Sequence, residues 1–77
     1  MSIKQIAVLG GGSWGTVLAN LASKTVENTI LWMRNQALAE AINIKKENKK
    51  YLPDYRLEDN LRATCDISAI ASSQLII

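Results

Sequence analysis

Apolar residues along this chain arrive in short bursts separated by polar or glycine-rich stretches. The first burst, Ile3 to Leu9 (IKQIAVL), ends in a continuous apolar run, the pattern of a parallel strand buried on both faces. Gly10-Gly11-Gly12 stops it. From Trp14 to about Ser23 the period lengthens. Val17, Leu18, Leu21 and Ala22 recur at spacings of three and four, which predicts a helix with those residues on its apolar stripe. A polar connection, Lys24 to Asn28, leads to Thr29–Met33 (TILWM), β-branched and aromatic and therefore a second strand.

Asn35 stands where it can cap a second helix, from about Gln36 to Asn48. On that helix Leu38, Ala41 and Ile42 form the inner face, with Ala37 and Lys45 at its edge. Lys45 to Asn60 is polar and charged around Pro53, and its second part reads as loop. Leu61–Thr64 is a short strand, Asp66 caps a short helix containing Ile67, Ala69 and Ile70, and Leu75–Ile77 opens another strand. The order β-α-β-α-β-α-β predicts an α/β fold with a parallel sheet, flanking helices and right-handed crossovers.

The candidate chemistry lies between the first strand and the first helix. Gly10-Gly11-Gly12-Ser13-Trp14-Gly15 reads G-x-G-x-x-G. In that motif the first glycine makes the tight turn, the second admits a pyrophosphate to the backbone, and the third lets the helix pack close to the strand. The phosphates then meet unpaired N–H groups and the positive end of the helix dipole. Glycines alone fit any tight turn. The strand before, the helix after and the second strand beyond narrow the reading to a Rossmann-type dinucleotide site. No Gly-Lys-Ser/Thr follows, so a nucleotide P-loop is excluded.

NAD-specific sites carry an acid at the end of the second strand for the ribose 2′-hydroxyl. Here that strand ends Met33-Arg34-Asn35. Arg34 would instead meet the 2′-phosphate of NADP or stack on adenine; the plain alternative is a solvated arginine. NADP is therefore the expected cofactor, with NAD as the alternative. Trp32, inside a strand, is expected to pack, whereas Trp14, at the helix start, fits packing and cofactor contact about equally.

Composition narrows the picture further. A net charge of +2 gives no argument for a nucleic-acid partner, and 48% hydrophobic content suits a globular protein. No apolar run approaches the ~18 residues of a membrane span, and Lys4 and Gln5 interrupt the first run too early for a signal peptide. These features predict a cytoplasmic protein. Cys65 is the lone cysteine and histidine is absent, so an intrachain disulfide and the usual Cys/His zinc sites are ruled out. The 77 residues fall short of the ~100–200 of a typical domain. With Gln74-Leu75-Ile76-Ile77 reading as the opening of a buried strand, an incomplete Rossmann domain and a longer working protein are expected. Lys45, Lys46, Lys49 and Lys50 read as a solvated charged face, with weak docking of a phosphate as the alternative.

Several segments together resemble one family. They are Gly10 to Ala19 (GGGSWGTVLA), Leu31-Trp32-Met33-Arg34, Asn48 to Asp54 (NKKYLPD), and Asn60-Leu61-Arg62-Ala63-Thr64 with Asp66 shortly after. In this order and spacing the chain resembles the N-terminus of bacterial NAD(P)-dependent glycerol-3-phosphate dehydrogenase. The Trp-Gly-Thr and Asn-x-x-Tyr-Leu-Pro segments are more specific than the glycines. Val17 departs from the family's frequent alanine, and Met33 from its glycine or alanine. The resemblance implies reduction of dihydroxyacetone phosphate to sn-glycerol 3-phosphate for phospholipid synthesis. By position it puts Ser13 and Trp14 at the cofactor phosphates and neighbouring ribose, Arg34 at the adenosine end, and Tyr51 beside it. It also implies that the catalytic lysine, the substrate residues and an all-helical second domain lie outside residues 1–77, so no catalytic residue is expected here. A homodimer is one expectation for the whole protein. The competing expectations are a related two-domain hydroxyacid or ketopantoate-type reductase and a non-enzymatic nucleotide-binding module.

Overall fold

The computed structural model describes residues 3–51 and 55–77. The expected loop position of Pro53, and the Leu52-Pro53-Asp54 part of the distinctive segment, lie outside the described residues. The elements run β1 (Gln5–Leu9), α1 (Ser13–Ser23), β2 (Asn28–Trp32), α2 (Gln36–Lys45), β3 (Leu61–Thr64), a 3-10 helix (Ile67–Ile70) and β4 (Leu75–Ile76). The strands form one parallel sheet in the order β3-β2-β1-β4. The chain thus winds outward from β1 through β2 to β3, then crosses back to the other side of β1. That reversal makes the carboxyl ends of β1 and β4 a topological switch point, where open α/β sheets bind their ligands.

Register decides the core. Ile6 pairs with Thr29 and Val8 with Leu31, while Thr29 pairs with Leu61 and Leu31 with Ala63. With side chains alternating along each strand, these residues share one face of the sheet, and all of them are buried. Ala19 of α1 and Ala39 and Ile42 of α2 close over that face, together with Leu57 from the segment before β3. The alternate residues of β1 fare unequally: Ala7 is fully buried, whereas Leu9 is 46% exposed. The expectation of burial on both faces therefore holds through Val8 and ends there.

The side of α1 that faces inward differs from the apolar stripe. Its buried residues are Thr16, Ala19, Asn20 and Ser23. Val17, Leu18 and Ala22 are half-buried, and Leu21 is 52% exposed. The reason is polar. Asn20 Oδ1 accepts from the backbone N–H of Glu58 at 2.7 Å, and Ser23 Oγ donates to Ala19 O at 2.8 Å. The inner face of α1 thus holds down a loop as well as packing on strands, and an apolar count cannot detect that task.

The second helix is shorter than its periodicity predicts. Asn35 caps it as expected, its side chain accepting from Leu38 N at 3.0 Å. It ends at Lys45 rather than near Asn48, because Lys46 turns left-handed at φ 56°. Lys46 Nζ then donates to Asp59 O at 3.1 Å and Leu61 O at 2.9 Å. Its buried residues are Ala39 and Ile42, while Leu38 and Ala41 are half-buried. Asn43, in the last turn of the helix, bonds the edge strand twice: its Nδ2 donates to Ala63 O at 2.9 Å and its Oδ1 accepts from Ala63 N at 2.8 Å.

Candidate functional site

The turn out of β1 is built on backbone geometry that only glycine supplies. Gly10 has φ +108°, in the region L side chains avoid, and its N–H donates to Trp32 O at 2.8 Å, tying the turn to the end of β2. A Cβ on Gly15 would stand 2.1 Å from Gly10 O. Helix α1 therefore starts closer to β1 than any side chain would allow. Gly12 is the opposite case: a Cβ there would meet nothing within 4 Å, so open space lies before it.

Gly12 caps α1 through its carbonyl alone. Thr16 donates to that carbonyl twice, from its N–H at 3.0 Å and from Oγ1 at 2.8 Å. No side chain caps the helix, and its first turn carries no acidic residue. The N–H groups of that turn and the positive end of the dipole thus face the open space before Gly12, an arrangement suited to an anion.

A second segment clasps this turn. Asn48, fully buried, donates from Nδ2 to Gly11 O at 2.8 Å and to Thr16 Oγ1 at 2.8 Å. Ser13 Oγ donates to Tyr51 O at 2.6 Å. The stretch from Asn48 to Tyr51 is thereby held against the glycine turn at both of its ends. Sequence reasoning missed Asn48 and Thr16 as parts of the site. The segment that Asn48 opens is distinctive in sequence, but nothing in a polar run tells which amide is buried.

Between the two segments lies a cleft of about 140 Å³. Gly11, Gly12, Arg34 and Asn35 line it from the glycine turn and the end of β2, Lys50 and Tyr51 from the clasping segment, and Met33 and Leu38 give it an apolar side. Met33 departs from the small residue expected there, and its side chain sits where a Cβ on Gly11 would be, 2.6 Å from Met33 Cε. Gly12, Arg34 and Tyr51 thus converge on one cleft, with Gly10, Ser13 and Gly15 shaping the turn beside it. Trp14 lies in the first turn of α1, 73% exposed. Trp32 packs as expected, half-buried, with its indole N–H donating to Cys65 O at 3.0 Å.

A larger open cavity, about 430 Å³, lies between α2 and the end of β3, where Glu40, Asn43, Cys65 and Asp66 contribute to its lining. None of the expected cofactor residues reaches it. Hydrogen bonds from Ser68, from Oγ at 2.7 Å and from the backbone N–H at 3.0 Å, hold the Asp66 carboxyl below the usual carboxylate range. Among the described residues no helix is long and apolar enough to cross a membrane.

Comparison with known proteins gives the family and the fold. Residues 5–77 match the family described as NAD-dependent glycerol-3-phosphate dehydrogenase N-terminus. A protein of Teredinibacter turnerae named glycerol-3-phosphate dehydrogenase (NAD(P)+) is 42% identical over 73 residues, 94% of this chain and 22% of the relative. One of the same name from Stenotrophomonas maltophilia is 51% identical over 65 residues, 84% of this chain and 19% of the relative. The chain therefore spans about a fifth of the length of these curated relatives. The crystal structure of the glycerol-3-phosphate dehydrogenase of Coxiella burnetii superposes with a TM-score of 0.85 at 32% identity, covering 96% of this chain and 23% of that one. The glycerol-3-phosphate dehydrogenase of Saccharomyces cerevisiae gives 0.85 at 29% identity, covering 99% and 25%.

Proposed function

The chain belongs to the family of NAD-dependent glycerol-3-phosphate dehydrogenase N-termini, and from that premise we propose that it is the cofactor-holding part of an enzyme reducing dihydroxyacetone phosphate to sn-glycerol 3-phosphate. The product would feed phospholipid synthesis in the cytoplasm. The observation that carries the reading is the start of α1, free of a side-chain cap and of acidic residues, opening at Gly12 beside a cleft lined by Arg34.

The residues present fit a nicotinamide dinucleotide. Its pyrophosphate suits the space before Gly12, where the backbone is bare and the first-turn N–H groups of α1 are open. The Ser13 hydroxyl donates its proton to Tyr51 O, so toward a phosphate Ser13 contributes its backbone N–H. Trp14, exposed in the same turn, offers its indole to the neighbouring ribose. Arg34 and Tyr51 line the cleft where the adenosine end belongs. With arginine in place of the acid that would select NAD, NADP is the favoured cofactor and NAD the alternative.

When bound, the cofactor supplies the hydride. These residues hold and orient it. The catalytic lysine, the substrate-phosphate site and a helical substrate domain are assigned to the rest of the protein, and a homodimer is the proposed assembly.

The test is cofactor oxidation by the full gene product, given dihydroxyacetone phosphate with NADPH and, separately, with NADH. Turnover is expected, faster with NADPH at limiting cofactor, and none is expected from residues 1–77 alone. Binding of NADPH without turnover of this substrate would move the protein to the related hydroxyacid or ketopantoate-type reductases.

A further inference from the structure

We propose that Lys50 is a second specificity-determining cation of this site, acting with Arg34 on the 2′-phosphate that distinguishes NADP(H) from NAD(H). The proposal rests on the dinucleotide reading above and adds to it a residue that the sequence presents as part of a solvated run.

The structure divides that run of lysines. Lys45 ends α2 on the exposed surface. Lys46 turns back, and its Nζ bonds the carbonyls of Asp59 and Leu61. Lys49 is exposed. Lys50 alone of these lines the cleft that also holds Arg34.

Its backbone position is fixed from both sides. Two residues earlier, buried Asn48 is bonded to the glycine turn. One residue later, the Tyr51 carbonyl accepts from Ser13 Oγ. The Nζ of Lys50 stands 5.3 Å from the centroid of the Tyr51 ring, a cation–π contact that keeps the ammonium group near the cleft.

Charge then points to the occupant. No aspartate or glutamate lines the cleft, and the salt bridge found among the described residues, Arg56–Asp59, is elsewhere. Residues with cationic side chains from two separate segments therefore line one small cleft whose lining includes no acidic residue, and an anion seated there is attracted by both. A phosphate monoester carries about −1.5 to −2 at neutral pH. Arg34 offers it a planar fork and Lys50 a compact point charge, so the two contacts complement each other. A ribose 2′-hydroxyl gives the ammonium group far less to bind.

The experiment measures NADPH and NADH dissociation constants of the full gene product by calorimetry, for the native protein and for Lys50→Gln, Lys50→Arg, Lys49→Gln and Arg34→Gln. Lys50→Gln is expected to weaken NADPH about tenfold and NADH less than about twofold, the size of a charge-assisted contact that stays partly wet. Retained NADH binding reports that the variant is folded. Lys50→Arg is expected to keep most of the NADPH affinity, and Lys49→Gln to change neither cofactor. Equal loss for both cofactors, or no loss for either, overturns the role of Lys50. If Arg34→Gln discriminates between the cofactors while Lys50→Gln does not, only this proposal falls. If the native protein binds neither dinucleotide, the reading beneath it falls as well.

Discussion

At the scale of single residues, the glycines of one motif do different work. Gly15 is held by packing, since a Cβ there would press on the Gly10 carbonyl at 2.1 Å. An alanine in a helix normally stabilises by up to about 1 kcal/mol over glycine. Here Gly15→Ala is expected to destabilise by about 2–3 kcal/mol, because backbone must move to admit the methyl group. Urea unfolding followed by tryptophan fluorescence checks the sign. Gly12 faces open space in an extended conformation, φ −73° and ψ −176°. Gly12→Ala is expected to leave the unfolding midpoint unchanged while weakening dinucleotide binding about tenfold or more, since the methyl group occupies the approach to the phosphates. An equal loss of stability and binding would mean that Gly12 serves the fold instead. The motif's spacing already assigns an opening to Gly12 and a packing contact to Gly15; the neighbours supply the distances that give each its size.

At the scale of elements, polar side chains set the boundaries. Asn35 and Asp66 were legible as caps because each directly precedes an apolar period, and both accept the expected backbone N–H. The end of α2 was not legible, because Lys45 and the residues after it, Lys46 to Lys50, form one charged run with no break in composition at the helix end. The cap at Asp66 has a pH consequence. Its carboxyl titrates below the usual range because the side chain and then the backbone N–H of Ser68 bond the ionised form. Its contribution is therefore complete above the unfolded value, about pH 4, and fades as pH falls through the lowered folded value. In thermal melts from pH 6 down to pH 2, Asp66→Asn is expected to show a shallower loss of stability through that acid window than the native chain. Parallel curves would place the acid sensitivity at other carboxylates.

At the scale of the whole molecule, the sheet is finished on one side and open on the other. The β3 edge is partly covered by the paired hydrogen bonds between Asn43 and Ala63. The other edge, β4, pairs with β1 alone, and Leu75, Ile76 and Ile77 are 42–51% exposed beside Leu9. An uncovered apolar edge is a template for pairing. Residues 1–77 produced alone are expected to self-associate with rising concentration, and sedimentation velocity over a wide concentration range reads this directly. A sharp monomer at all concentrations would mean that the edge protects itself in solution.

The sequence by itself determined the order of strands and helices, the parallel sheet and the glycine turn. Each is written in local periods and in residues whose backbone preferences act over a few positions. It also marked Arg34, because the missing acid at the end of β2 is visible in one dimension. Tertiary structure alone decided which face of α1 is buried, where α2 stops, that Asn48 clasps the glycine turn, and that Lys50 joins Arg34. Those outcomes depend on which polar groups find partners across dozens of residues. Hydrogen bonds of that kind leave no period in the chain and exist only once the sheet has brought the segments together.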